Sequence, residues 1–419
     1  MKKTWLWMIV SAVVVLAGCQ STSHRGTTLS VGPGSGLSQS QIGNIERTYA
    51  YNSDIYLDVA IPVFNPGFPL DAAGEIDFEA LNDMDIWPQL RRAEAKRFAI
   101  QTRNALQDTK SFGAVSVVPT ANTTADIFVL GTILHSDSEI IELEAMVLDS
   151  SGEIIGSETF EHQVSEGFFR DAYNQGKNPY EPVFKDIAYY VYQLVKRLPD
   201  AQKQRIKDTS LVRYAHYYSP EAFDGYLTSS VKRKGGVRYN KVELTALPAE
   251  NDPMLKRIEV LRQQDMLFVD RLQDQFDVFD KTTESPYRQW QEETLPEVIR
   301  AKEARSERNT KVVVGVLGLI AAATLGNKSN STGTNVAKTA GALGSAWLLK
   351  DAWQANQNLK VASAVIEEMG QGLDIAVSPT VMEFNEQEVV LTGSASQQYE
   401  QWKAQLKSMY ELETGNIQD

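Results

Sequence analysis

Ala125-Asp126-Ile127-Phe128-Val129-Leu130-Gly131-Thr132-Ile133 and, ten residues on, Leu143-Glu144-Ala145-Met146-Val147-Leu148-Asp149-Ser150-Ser151-Gly152 are the stretches on which the fold turns. Both are runs of β-branched and large apolar residues bounded by polar or turn-forming ones, which predicts strands over Ile127–Leu134 and Ile140–Leu148. Asp149-Ser150-Ser151-Gly152 reads as a hairpin turn into a third strand, Ile154–Phe160. Upstream, Ile55 to Phe64 is strand-like and stops at Asn65-Pro66-Gly67, a turn signal. Asp85 stands where it can cap a helix entered through Pro88. That helix, 88–108, carries Ala95, Phe98, Ala99, Thr102, Ala105 and Leu106 on one face and leads to a strand at Ala114–Val118. Downstream, Phe184, Ile187, Val191, Leu194 and Leu198 fall at helical spacing. The order β-α-β-β-β-α over 46–200 predicts an α+β fold, a small mixed sheet with helices packed on it.

The pattern Ala-Asp-x-x-Val-x-Gly-x-Ile at 125–133, followed by a strand that ends in Asp and Gly, resembles a recurrent element of bacterial envelope proteins. The curli secretion channel lipoprotein, the penicillin-binding-protein activator lipoproteins and the amino-terminal domain of the Tol translocation protein share it. The resemblance spans roughly the first quarter of the chain after its amino-terminal segment. It implies a non-enzymatic periplasmic domain that binds protein partners or self-assembles.

The amino terminus agrees with that location. Met1-Lys2-Lys3 precedes an uncharged run from Thr4 to Leu16. A short positive region followed by an apolar one is an export signal, and the run is shorter than the about 20 residues a spanning helix needs. Leu16-Ala17-Gly18-Cys19 then resembles the lipobox of bacterial lipoproteins. Leu16, Ala17 and Gly18 would be recognised by the signal peptidase, residues 1–18 removed, and Cys19 left with an S-diacylglycerol and an N-acyl chain. That covalent lipid is the only group besides amino acids that the sequence calls for; no cofactor is expected. Cys19 is the one cysteine in 419 residues, so no internal disulfide can form. At about 0.8 kcal/mol per buried methylene, three chains hold the protein on a membrane. By resemblance to enterobacterial lipoproteins, Gln20, where an Asp would retain the protein, directs it to the periplasmic face of the outer membrane. Residues 19–45, with Gly32-Pro33-Gly34-Ser35-Gly36 at their centre, bury too little apolar surface to fold and read as a flexible tether.

The later half divides by composition. Residues 201–252 connect: Gln202–Tyr218 can be helical, and Lys232-Arg233-Lys234-Gly235-Gly236-Val237-Arg238 is a basic turn, solvated or facing anionic headgroups or an acidic partner. Residues 253–371 are mainly helical. Ile258, Leu261, Phe268, Leu272, Phe276 and Phe279 form a stripe, and Pro286 and Pro296 predict that it is broken into two or more helices. Within this region, 311–350 reads as an apolar helical hairpin. Gly315 and Gly318 on one arm, and Gly341 and Gly344 on the other, are spaced so that a neighbouring helix can approach closely, in the core, in an oligomer interface or inserted in a membrane. Each arm, about 22 Å long, is short of a hydrocarbon core about 30 Å thick. Residues 372–419 form a small α+β cap.

Chemistry is sparse. His24, His135, His162 and His216 share no metal-ligand spacing, and no nucleophile motif has a supporting context. Asp71 to Ala80 imitates half of an EF-hand loop but lacks three ligand positions, the bidentate Glu among them. A net charge of −13 argues against nucleic acid, whose phosphates need clustered Lys and Arg. The sequence therefore predicts no enzyme and no metal, but an outer-membrane-anchored accessory or scaffold lipoprotein. Its partners would be the membrane, through the lipid, an envelope protein, and further copies of itself. The alternative is a lipoprotein that self-assembles into a pore or secretion channel.

Overall fold

In the computed structural model, residues 47–249, 251–309, 360–384 and 387–415 are described. The fold is α+β. Five strands form the main sheet: β1 (Val59–Pro62), β2 (Val115–Val118), β3 (Ile127–Ser136), β4 (Ile140–Asp149) and β5 (Ile154–Gln163). Their order is β2-β1-β3-β4-β5. β1 is parallel to both neighbours, whereas β3, β4 and β5 form an antiparallel meander. The strand expected over 55–64 shrinks to four residues, because β1 matches the short β2 on one side and meets β3 only at Val59 and Ala60.

Alternation along β3 and β4 sorts the two faces. Ile127, Val129, Ile133, Ile141, Leu143, Ala145 and Val147 are fully buried on the inner face. Two helices cover them, α2 (Pro88–Asp108) and α3 (Glu181–Lys196). A short helix, α1 (Phe78–Asp83), precedes α2, and its N-cap is Asp77, which accepts from the Ala80 amide at 2.9 Å. Asp85 does not cap α2 as expected. It takes a positive φ of 59° at the bend between the helices, a conformation Asp tolerates, and Trp87 occupies the cap position, its side chain making no capping bond to the helix amides.

The connecting region is more regular than its composition suggests. After α4 (Asp200–Tyr218) and the single turn α5 (Pro220–Phe223), the basic turn proves to be the tip of a β-hairpin, β6 (Leu227–Lys234) and β7 (Val237–Leu244). Gly235 and Gly236 both have positive φ there. The hairpin docks on the β4–β5 turn through Val242 N to Ser151 O, 2.8 Å, and Lys241 to Glu153, 2.9 Å.

The expected break at Pro286 does not occur. One helix, α6 (Pro253–Asn309), runs 57 residues through both prolines. A proline in a helix interior costs about 3 kcal/mol. Tertiary contacts offset it here, because Thr283, Tyr287, Trp290, Gln291, Thr294, Leu295 and Val298 are all buried around the two prolines. The chain closes with α7 (Lys360–Met369), the hairpin β8 (Thr380–Phe384) and β9 (Gln387–Leu391), and α8 (Ala395–Thr414), opened by a Ser394/Gln397 capping box.

The regions drawn at 46–200, 201–252, 253–371 and 372–419 share one hydrophobic core among the described residues. α2 lies between the sheet and α6, and its charged side chains do the joining. Arg97 reaches Asp280 O at 3.0 Å, Thr283 Oγ1 at 2.7 Å and the Glu284 carboxylate. Tyr287 donates to Glu94 at 2.8 Å. Lys96 donates to Met369 O, Gly372 O and Asp374 O at 2.5, 2.8 and 3.3 Å, collecting the carbonyls at the end of α7.

Candidate functional site

The outer face of the sheet is where a site forms. Phe128, Leu130 and Leu148 point away from α2 and α3 and are only half-buried. α4, the β6–β7 hairpin, α6 and α8 stand around them without closing over them, leaving a cavity of ≈ 680 Å³. A second one of ≈ 500 Å³ lies against β1 and β2. Thr123, Thr124, Ala125 and Asp265 line both.

Asp265 is the unusual member. It lies on the buried stripe of α6, between Leu261 and Phe268, and is 3% exposed. Its Oδ2 accepts from the Tyr399 hydroxyl at 3.3 Å. Its Oδ1 is buried with no hydrogen-bond partner among the described residues. Burial pushes its carboxyl up to about 7, against the opposing pull of the Tyr399 hydrogen bond and of the Lys403 and Arg262 charges. Buried polar atoms are nearly always bonded, so a buried, unpartnered oxygen on a residue that lines a cavity is a place for a donor from outside the chain.

Aromatic side chains frame this acid. Tyr399 also bonds Thr123 at 2.8 Å and stacks on Phe268 with ring centroids 5.9 Å apart. The Tyr214 and Tyr218 hydroxyls are 3.4 Å apart, and burial raises both phenols. Tyr217, 46% exposed, stands edge-on to Tyr218 at the rim. Two cations contribute. Lys403 donates to Asn122 O at 3.2 Å and lies over the Tyr399 ring, and Arg213 donates to Ser150 O. His216 faces Asp224 at 3.5 Å on the same rim. The arrangement offers acceptors, donors and apolar ring surface around one open volume, the equipment of a binding site.

The sequence motif has a structural part beside this cavity. Asp126, fully buried, accepts from the Asp58 amide at 3.0 Å, and Lys207 and Arg262 approach it at 3.5 and 3.8 Å. It ties the start of β1 to β3 and to the helices that wall the cavity. The other histidines sit apart. His135 pairs with Asp137 at 2.8 Å near Lys302, and although burial opposes it, these partners hold the Asp137 carboxyl down at about 2. Burial lowers His162 to about 4.

The lipid-attachment residue Cys19, the recognition residues Leu16, Ala17 and Gly18, and the hairpin glycines Gly315, Gly318, Gly341 and Gly344 lie outside the described residues. Among the described residues, no helix is long and apolar enough to cross a membrane, and no group of three or more His, Cys, Asp or Glu side chains could hold a metal ion. Sequence reasoning missed Asp265 and its tyrosines. One signal was available: Asp265 falls at stripe spacing between Leu261 and Phe268, an acid on the face of α6 that is otherwise apolar. No family model, curated protein or solved structure matches the chain.

Proposed function

We propose that this chain is a lipoprotein of the bacterial envelope, lipidated on Cys19 and held at the periplasmic face of the outer membrane, whose folded body is a non-enzymatic binding module. Anchoring rests on Leu16-Ala17-Gly18-Cys19 behind an export signal, with no other cysteine in the chain. The binding role rests on one observation, the open cavity with the unpartnered Asp265 Oδ1 in its wall. An accessory or scaffold role with an envelope protein follows from the resemblance at 125–152. Gly315, Gly318, Gly341 and Gly344 are proposed to seat a neighbouring helix, within the chain or in a homo-oligomer.

The alternative, a pore or secretion channel, would draw its spanning strands from segments of about 9–11 residues. β3, β4 and β5 have ten residues each, but their inner faces are buried under α2 and α3. The binding reading needs no such rearrangement. The test is a photoreactive side chain at Tyr217 in cells that make either the wild type or Cys19→Ala. The proposal expects an adduct with an envelope component in the wild type, and its loss when Cys19→Ala leaves the membrane fraction. Equal membrane retention of both proteins, or no adduct from the wild type, would contradict it.

A further inference from the structure

The chemistry of the cavity narrows its ligand. Asp265 lines it, and its Oδ1 is buried with no hydrogen-bond partner among the described residues. Charges of both signs stand around it: Lys403 and Arg213 line the same cavity as Asp149, Asp224 and Asp265. A phosphate or carboxylate ligand would be pressed against the Asp149 and Asp224 carboxylates. An ammonium ligand would meet the Lys403 ammonium, already placed over Tyr399 at 4.9 Å, and the Arg213 guanidinium. Like charges brought together in a partly dry cavity repel strongly. A neutral ligand with both O–H donors and oxygen acceptors satisfies both sets.

The remaining wall agrees. Asn122, Thr124, Ser229 and Asn240 supply amides and hydroxyls that can donate or accept. Tyr217 offers an exposed ring at the rim, held edge-on by Tyr218 at 5.1 Å. Such a ring gives an apolar face for C–H groups and a polar tip for a hydroxyl. A volume of ≈ 680 Å³ is within the usual range for small-ligand sites, about 300–1,000 Å³.

We propose that the Asp265 cavity binds a neutral saccharide of one or two rings, with a sugar hydroxyl donating to Asp265 Oδ1 and a ring face lying on Tyr217. This deepens the binding reading and rests on it, but it is independent of lipidation. Asp265 would be kept for the ligand: at that position on the α6 stripe, an apolar residue would pack as its neighbours do.

The experiment is a screen of the full chain against an array of neutral glycans, followed by calorimetric titration with cellobiose, maltose and N,N′-diacetylchitobiose. N-acetylneuraminic acid and glucosamine serve as anionic and cationic comparators. At least one neutral glycan should bind. Asp265→Leu should weaken it about tenfold or more, since a hydrogen bond to an ionisable group is lost, while its melting temperature is held or raised. Tyr217→Ala should weaken binding severalfold. Asp265→Asn, nearly the same shape and still an acceptor, should weaken it less than Leu. If no neutral glycan binds, or if binding survives Asp265→Leu, the proposal fails. Asp265-dependent binding of only a charged comparator would overturn the saccharide and leave the cavity as a binding site. Silence from every sugar, together with a Tyr217 adduct in cells, would overturn it in favour of a protein ligand.

Discussion

Gly131 is the seat of Phe64. A Cβ on Gly131 would stand 2.4 Å from carbons of the Phe64 ring, closer than any real contact, and Phe64 is 1% exposed. Asn65, beside it, donates to Gly131 O at 2.8 Å and bridges to Thr132. The glycine in the motif is therefore there to admit an aromatic ring where the chain leaves β1 and runs on parallel to β3.

Gly131→Leu should overpack this contact, and overpacking typically costs about 1–3 kcal/mol. Phe64→Ala alone should cost about 3–5 kcal/mol through the cavity it leaves. The double variant should be less unstable than the sum, because the new side chain then has room. Urea unfolding midpoints of the four proteins measure the coupling; strict additivity would show that the two residues do not touch.

Arg97 is the main fastening between α2 and α6, 2% exposed and bonded to Asp280, Thr283 and Glu284. Arg97→Ala strands the half-buried Asp280, whose carboxyl burial already pushes up against the pull of Arg97. Breaking a fully buried pair costs about 3–5 kcal/mol; with partners 19% and 45% exposed, this loss should fall below that range but above that of a surface pair. Arg47→Ala removes an ion pair to Asp186 whose two side chains are 33% and 41% exposed; it should cost no more than about 1 kcal/mol. Comparable losses for both, read by thermal melting, would mean that α2 and α6 are held by their apolar contacts alone.

Pro286→Ala should stabilise the protein, by up to about 3 kcal/mol. It restores an amide to a helix that already runs through the site. A drop in melting temperature would mean that the proline is needed for a bend or break at that point.

Two buried groups tilt stability with pH in opposite directions. Asp265 ionises near 3.8 when unfolded but holds its proton to about 7 when folded. Its contribution is full below about pH 4 and is lost as pH rises to about 7. His162 takes a proton near 6.5 when unfolded and only near 4 when folded. Its contribution is present above about pH 6.5 and is lost as pH falls to 4. Each tenfold change in proton affinity is worth about 1.4 kcal/mol. Relative to the wild type, Asp265→Asn should gain stability from pH 4 to 7, and a folded His162→Gln should gain it from pH 6.5 down to 4. Urea titrations across that range check both; parallel profiles for wild type and variant would refute the corresponding assignment.

The sheet was legible because its strands alternate. Ile127 to Ile133 and Ile141 to Val147 bury every second residue, the period that sequence reading detects. The helix at 88–108 was also legible, but only its apolar face. Arg91, Glu94, Lys96, Arg97 and Arg103 are each less than 5% exposed, and charge on a helix ordinarily signals a wet surface. Arg91 and Glu94 pair with each other and bond Pro66 O and Ser136, whereas the partners of Lys96, Arg97 and Arg103 on α6 and at the end of α7 lie far along the chain, so nothing local marks them. The unbroken α6 was illegible for the same reason: helix propensity speaks against Pro286, and the packing that overrides it comes from α2. The cavity is assembled from β3, β4, α4, the β6–β7 hairpin, α6 and α8, and only Asp265 in its apolar stripe hinted at it.

Intact-mass spectrometry of the protein extracted from envelopes tests the anchoring directly. The account predicts a chain that begins at Cys19 and carries the mass of a diacylglycerol and one further acyl chain, with neither modification in Cys19→Ala. A mature chain with an unmodified Cys19, or one that retains Met1 to Gly18, would contradict it.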